Sequence, residues 1–171
     1  MFNLSDKIAV VTGGSRGIGK SICLKMAERG ANIAIVYSSD DKTALETEKE
    51  ISQFGHEVKI YKCDVSQDSE VKNLITQIIN KFKKIDILVN NAGIRDDKLA
   101  FNMDYNCFNK IIQTNLIGTF NMIHHSYLNF IKNNYGRIIN ISSTVGINGN
   151  IGQSNYAASK AGIIGLSKSI A

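Results

Sequence analysis

The sequence predicts an α/β fold, a doubly wound parallel sheet with helices on both faces. Two observations carry this prediction. Short apolar runs alternate with longer helical patterns through the first half of the chain, which calls for right-handed crossovers between parallel strands. The stretch Val10 to Gly19, VVTGGSRGIG, has the make-up of a strand, a tight turn and a helix start that together hold a phosphate. In such sheets a ligand sits beyond the carboxyl ends of the strands, where the winding reverses.

Composition narrows the class. The chain has 171 residues, 43% of them hydrophobic, with 14 Gly and no Pro or Trp, which suits a single globular domain over residues 1–171. No apolar run approaches the roughly 20 residues that a membrane-spanning helix needs. The opening segment MFNLSDKI carries Asp6 and Lys7 where a signal peptide would be apolar, so a cytoplasmic protein with no membrane partner is expected. Cys23, Cys63 and Cys107 are odd in number and lack paired His, which suggests neither disulfides nor a metal site. The net charge of +5 is scattered, with no aromatic and basic stripe, so nucleic acid is not an expected partner.

Each element follows in order. Ile8 to Val11 is a first buried strand, and Gly13, Gly17 and Gly19 punctuate the turn after it. A Cβ there would block the turn or hold the backbone away from a pyrophosphate, whose charge is favoured by free N–H groups and the helix dipole. Ile18, Ile22 and Met26 recur at helical spacing and predict the apolar side of the first helix. A glycine turn without a ligand is the alternative. Gly30 fits a helix C′ position, Asn32 to Val36 a second strand, Asp40 to Phe54 a helix, and Val58 to Tyr61 a third strand. The second strand ends in Tyr37-Ser38-Ser39 with no acid to bind a ribose 2′-hydroxyl. Arg16 in the turn supplies a cation and Ser38 a hydroxyl, which favours NADP(H) over NAD. In the opposing reading Arg16 is only solvated, and Asp40, otherwise a helix N-cap, reaches the ribose.

The third strand runs into Cys63-Asp64-Val65, and Ser66 with Asp68 predicts the cap and first turn of a helix ending at Phe82. Asp64 either accepts from an adenine amino group while Val65 packs on the ring, or simply forms a turn. Ile85 to Val89 is a fourth strand. Asn90-Asn91-Ala92-Gly93 follows, small enough for close backbone approach and able to tie strand ends through its amides. The loop Ile94 to Met103 is placed to flank a substrate. Phe108 to Lys132 reads as one long helix with Ile111, Ile112, Leu116, Phe120 and Ile123 on its apolar side. Asn115 among them needs partners, either an internal structural bond or a role in a site. His124 and His125 have no carboxylate at helical spacing and read as surface or core residues.

Ile138 to Ile141 forms a fifth strand ending in Ser142-Ser143, and a glycine-rich loop, Val145 to Gly152, leads to a helix that opens near Tyr156-Ala157-Ala158-Ser159-Lys160. Tyr156 and Lys160 share one helical face. A tyrosine of ordinary pKa near ~10 handles protons poorly at neutral pH, and a neighbouring ammonium would favour its phenolate. When hydride adds to a ketone carbon, charge grows on the oxygen, where a hydroxyl donor and a proton source must stand. Ser143 and Tyr156 are the candidates. The Tyr-to-Lys spacing alone is common; its position after a strand-end serine gives it meaning.

Taken together, TGGSRGIG, NNAG, Asn115, Ser143 and YAASK resemble the short-chain dehydrogenase/reductase family, with its Rossmann-type fold, across the whole chain. DILVNNAGI, QTNLIGTF and GRIINISSTVG are most similar to its 3-oxoacyl-acyl-carrier-protein reductases. The resemblance implies Tyr156 as proton donor, Ser143 as polariser of the carbonyl, Lys160 as holder of the nicotinamide ribose, and Asn115 as anchor of a proton-passing water. It implies NADP(H) on Gly13, Ser15, Arg16, Gly17, Ile18 and Gly19 of the turn. Asp64 and Asn91 would contact the adenosine part, Tyr37, Ser38, Val65, Ala92 and Gly93 would complete the cofactor site, and Tyr156 and Lys160 would stand on the nicotinamide side. It further implies reduction of an acyl thioester substrate in fatty-acid elongation, carried on acyl carrier protein, and a homotetramer for the full-length form. Acetoacetyl-CoA or another small ketone or alcohol is the alternative substrate, and a silent nucleotide-binding fragment the alternative of another class. The family continues past the helix of Tyr156 with two strands, a substrate lid and a carboxamide-binding segment, so this chain is expected to be C-terminally truncated, lacking the family's last strands. Ile163, Ile164, Leu166 and Ile170 are then expected to lie open. Lys132-Asn133-Asn134-Tyr135 is less basic than carrier docking favours.

Overall fold

A computed structural model describes residues 3–171; Met1 and Phe2, at the head of the segment weighed against a signal peptide, lie outside the described residues. Strands and helices alternate as β1 (Ile8–Thr12), α1 (Gly17–Ala27), β2 (Asn32–Tyr37), α2 (Asp41–Ser52), β3 (Val58–Lys62), α3 (Asp68–Phe82) and β4 (Ile87–Asn90). Then come α4 (Tyr105–Ile112), a π-helical turn (Gln113–Ile117), α5 (Gly118–Lys132), β5 (Arg137–Asn140), α6 (Val145–Asn148) and α7 (Ser154–Ile170). The five strands are ordered β3-β2-β1-β4-β5 and every pairing is parallel. The winding therefore reverses between β1 and β4, which sets the glycine turn at the switch point.

Alternation along each strand feeds two cores. Val10, Ala34 and Leu88 face α3 and α5 through Leu74, Ile78, Met122 and Phe130. Ala9, Val11, Ile33, Ile35 and Val89 face α1 and α2 through Cys23, Ala27 and Ile51. β1 is buried along its whole length because both faces and both edges are covered. No helix among the described residues is long and apolar enough to cross a membrane.

Several expectations need correction. The fully buried side of α1 is Gly19, Cys23 and Ala27; of the expected stripe, Ile22 and Met26 pack half-buried on this core while Ile18 is 66% exposed. Small residues let the helix lie close to the sheet, so the larger ones are displaced to its shoulder. Ser66 does not cap α3. Its hydroxyl and N–H both donate to Asp64 Oδ1, at 2.8 and 3.0 Å, and Gln67 takes the cap position with no side-chain bond. The long helix begins at Tyr105, capped by Asp104, whose carboxylate accepts from Cys107 N–H at 2.7 Å. It is broken by the π turn, and Phe120, expected to be buried, is 45% exposed. β5 runs Arg137–Asn140, one residue earlier than its apolar run suggests, because Asp86 O, just before β4, accepts from Arg137 N–H at 3.0 Å. Part of the expected glycine-rich loop is helical, as α6 packs with Gly146 against the backbone of Lys160 and Ala161. On α7, Ile163 is 1% exposed and Leu166 and Ile170 pack on the α3/α5 core, so this helix covers most of its own apolar side. The open apolar residue is Ile139 of β5, 43% exposed.

Leu88 is fully buried at the centre of the sheet. Replacing it by Ala should cost about 2–5 kcal/mol in urea unfolding, and a loss below about 1 kcal/mol would show that the site collapses around the deletion.

Candidate active site

The glycine turn is built from both sides. Gly13 has φ +62°, and a Cβ on it would lie 2.9 Å from Asn91 Nδ2. A Cβ on Gly19 would lie 2.1 Å from Gly13 O, so only glycine lets α1 start this close to the strand end. Gly17, at φ +55°, opens the helix. Asn91 Nδ2 donates to Thr12 O at 2.9 Å and Gly13 O at 3.2 Å, while Thr12 Oγ1 accepts from Asn91 and Ala92 N–H at 3.0 and 2.9 Å. The ends of β1 and β4 are thus laced together, as the amides of the NNAG segment suggested. From behind, the buried Thr47 hydroxyl donates to Ser15 O at 2.7 Å. Arg16 occupies the N-cap of α1 in extended conformation and offers no side-chain cap, leaving the first-turn N–H groups available to an anion.

In front of the turn runs a groove of about 330 Å³. It gathers Gly13, Ser15, Arg16, Ile18, Tyr37, Ser38, Asp64, Val65, Asn91, Ala92 and Gly93, all candidates from the sequence. Gly17, Gly19, Tyr156 and Lys160 are not among its lining residues. Sequence reasoning missed Val36, Cys63, Ile94 and Thr114, whose only signal was proximity to a strand end or to the long helix. Asp40 lines the groove as well, but its carboxylate caps α2, accepting from Thr43 N–H at 3.0 Å and Thr43 Oγ1 at 2.6 Å. Asp64 forms the expected turn, one oxygen accepting from Ser66, and the residue also lines the groove. Burial, then the charges of Glu70 and Asp64, pushes the Cys63 thiol up to about 12, so it is a neutral part of the wall.

At the Gly93 end stand the residues of α7. Lys160 is 4% exposed, and its Nζ donates to Ile141 O at 2.7 Å, 5.6 Å from the centre of the Tyr156 ring. Burial lowers the Lys160 pKa below its ordinary range. A Cβ on Gly93 would lie 3.3 Å from Asn115 Oδ1 and 3.7 Å from Lys160 Nζ, so these groups border the groove where Gly93 lines it. Asn115, fully buried in the π turn, takes the structural option left open by its sequence. Its Oδ1 accepts from Ile94 N–H at 2.8 Å, and its Nδ2 donates to Ile94 O at 3.0 Å and Ser159 Oγ at 3.1 Å. The carbonyl of Asn115 accepts from Thr119 Oγ1 at 2.8 Å. Ser143 Oγ accepts from Val145 N–H at 3.2 Å, which leaves its own proton free to donate.

Two residues just before Tyr156 were missed. Buried Asn155 accepts from Tyr156 N–H at 2.7 Å and donates to Asp96 O at 3.0 Å, and Gln153 donates to Asp97 Oδ2 at 2.8 Å. They strap the loop after β4, expected to flank a substrate, to the start of α7. His125 does find a carboxylate, Asp68 Oδ1 at 2.7 Å, but across from α3 rather than along its own helix.

Fold and groove define a nucleotide-binding α/β domain of the Rossmann type, with a tyrosine and a lysine at one end of the groove. The short chain dehydrogenase family model matches residues 7–171, and the chain belongs to the short-chain dehydrogenase/reductase family, whose oxidoreductases use nicotinamide cofactors. It is 43% identical over 166 residues to the 3-oxoacyl-[acyl-carrier-protein] reductase FabG of Staphylococcus epidermidis, covering 97% of this chain and 68% of that protein. With FabG of Staphylococcus aureus it shares 44% over 165 residues, 96% of this chain and 67% of the other. Its fold matches the crystal structure of an NAD⁺-bound xylitol dehydrogenase with a TM-score of 0.95 at 30% identity, covering 98% of this chain and 65% of that one. A structure assigned as a short-chain alcohol dehydrogenase of Sinorhizobium meliloti gives 0.95 at 32%, with 99% and 67% covered. The chain thus spans about two thirds of the length of each.

The lowered Lys160 pKa sets a sign. From that lowered value up to the ordinary 10.5 the unfolded chain binds more protons than the folded one, so stability rises with pH across this window. Urea unfolding at stepped pH should show the difference between wild type and Lys160→Met moving in favour of the wild type as pH climbs. A difference independent of pH would show that the ammonium is not desolvated.

Proposed function

We propose that this chain is the nucleotide-binding and catalytic part, folded as one domain, of an NADPH-dependent reductase that converts a 3-oxoacyl thioester to its 3-hydroxyacyl form in fatty-acid synthesis. Identity of 43–44% to two reductases whose names state that activity supports the substrate class, with acyl carrier protein as carrier. The observation that carries the chemistry is Tyr156 beside a buried Lys160 ammonium at the Gly93 end of the groove.

The groove suits a dinucleotide, since its floor at Gly13 and Gly93 is backbone with no Cβ, and α1 presents uncapped N–H groups to a pyrophosphate. When bound, the reduced nicotinamide supplies a hydride. Tyr156 gives its proton to the substrate carbonyl oxygen, and the ammonium of Lys160 offsets the charge left on the phenol. Ser143 keeps its hydroxyl proton and holds the same oxygen with a hydrogen bond. Asn115 keeps the wall rigid by gripping Ile94 at both backbone groups, so a proton-passing water would have to use the acceptor capacity left on Asn115.

Cofactor choice follows from the end of β2. Arg16 and Ser38 line the groove there; Asp40 caps α2 with both oxygens bonded to Thr43, and Asp41 accepts from Lys62. A ribose bearing a 2′-phosphate therefore meets a cation and a hydroxyl. In the complete protein the outer faces of the long helices meet in a homotetramer, a reading supported by exposed Phe120, Tyr127, Leu128 and Ile131 on α5.

NADPH consumption with an acetoacetyl thioester tests the chemistry. Tyr156→Phe should lower turnover by at least about 100-fold and leave NADPH affinity within about twofold; retained turnover would end the assignment. Arg16→Ala should weaken NADPH about tenfold or more and NADH by less than about twofold. An unchanged preference would show that the 2′-phosphate is held elsewhere.

A further inference from the structure

Six helical hydroxyls of this protein bond within their own helix in the same way. Ser21, Ser52, Thr76, Thr119, Ser167 and Ser169 each donate to the carbonyl four residues back in their own helix. Thr47, in the middle of α2, does not. Its Oγ1 crosses to α1's entry turn and donates to Ser15 O at 2.7 Å, a partner 32 residues away, and its side chain is completely buried.

That bond orients one peptide. The chain has no cis peptide bonds among the described residues, so the Ser15–Arg16 unit is planar and trans and its N–H points opposite to its C=O. With the carbonyl drawn to Thr47, the Arg16 N–H faces away from Thr47, and both Ser15 and Arg16 line the groove. Other bonds fix the flanks: Gly14 N–H donates to Val36 O at 3.1 Å, and Lys20 N–H to Arg16 O at 3.1 Å. Among the described residues, the Thr47 hydroxyl is the side-chain group that bonds this peptide.

We propose that Thr47 is a positioning residue for cofactor choice: by holding the Ser15–Arg16 peptide it aims the Arg16 N–H and guanidinium at the 2′-phosphate of NADPH. The proposal rests on the reading of Arg16 given above. Thr47 touches no ligand itself, and a residue in the polar run Asp41 to Ser52 carries no sign of this role in the sequence.

Direct titration of NADPH and NADH against wild type, Thr47→Val, Thr47→Ser, Arg16→Ala and the Thr47→Val/Arg16→Ala double variant tests it, with folding checked by melting. Thr47→Val keeps the shape and removes the donor. It should weaken NADPH about fivefold and NADH less than about twofold, Thr47→Ser should restore the wild-type value, and Thr47→Val should cost less in the Arg16→Ala background than in the wild type, since only the Arg16 N–H is then left to aim. If Thr47→Val fails to fold, Thr47→Ala carries the same expectations. Unchanged NADPH affinity, an equal loss for NADH, an equal loss in Thr47→Ser, or additivity in the double variant would each overturn the proposal. Loss in Arg16→Ala without loss in Thr47→Val sinks the positioning role alone, whereas no loss in Arg16→Ala sinks the cofactor reading with it.

Discussion

The structure depends on how closely the first turn of α1 approaches the ends of β1 and β4. A Cβ on Gly19 would lie 2.1 Å from Gly13 O and 2.6 Å from Asn91 Nδ2, distances that no side chain survives. Because Gly19 has none, Asn91 can reach across the switch point to the carbonyls of Thr12 and Gly13, and Thr12 can return the bond to two N–H groups after β4. The carboxyl ends of the two central strands are thereby closed without using the uncapped N–H groups of α1, which remain directed outward. Three glycines, one threonine and one asparagine close the carboxyl end of the central strands and keep the start of α1 free.

Polar side chains do the same elsewhere. The side of α5 toward the sheet buries Thr119, Asn121, Ser126 and Asn129 beside Met122, Ile123 and Phe130. Asn121 donates to Val65 O at 3.0 Å, fixing the groove wall at Val65, and Asn129 donates to Ile85 O at 2.9 Å. Asn115, one π turn earlier, holds Ile94. Each of these amides satisfies a backbone group that would otherwise be buried unpaired, so losing one costs the desolvation of its partner as well as the bond. The interior is specified as much by these fasteners as by its apolar packing.

What the sequence reveals tracks what is local. β1 to β5 and the βα order follow from apolar runs and glycine punctuation, and eleven of the groove residues follow from strand ends. Misreadings arise where a distant contact outranks a local pattern. The stripe of α1 is pushed to the shoulder because close packing prefers Gly19, Cys23 and Ala27 to larger residues. The π turn is invisible to a 3.6-residue period because it inserts a residue to aim Asn115. Ser66 loses its cap role because its hydroxyl turns back to Asp64, and Asp40 keeps its cap role on Thr43 while also lining the groove.

Lys160 brings fold and chemistry to one point. An ammonium has three donors, and among the described residues only Ile141 O takes one of them. Burying such a group with so little compensation is unfavourable and lowers its pKa, and among the described residues no carboxylate is paired with it. A lysine kept for packing would be better replaced by methionine at this position. Its remaining donors stand at the Gly93 end of the groove, within one helical turn of Tyr156, where an arriving ligand hydroxyl or a developing phenolate would supply the missing acceptor. The instability of the unliganded charge is therefore itself the reason to assign it to the reaction proposed here.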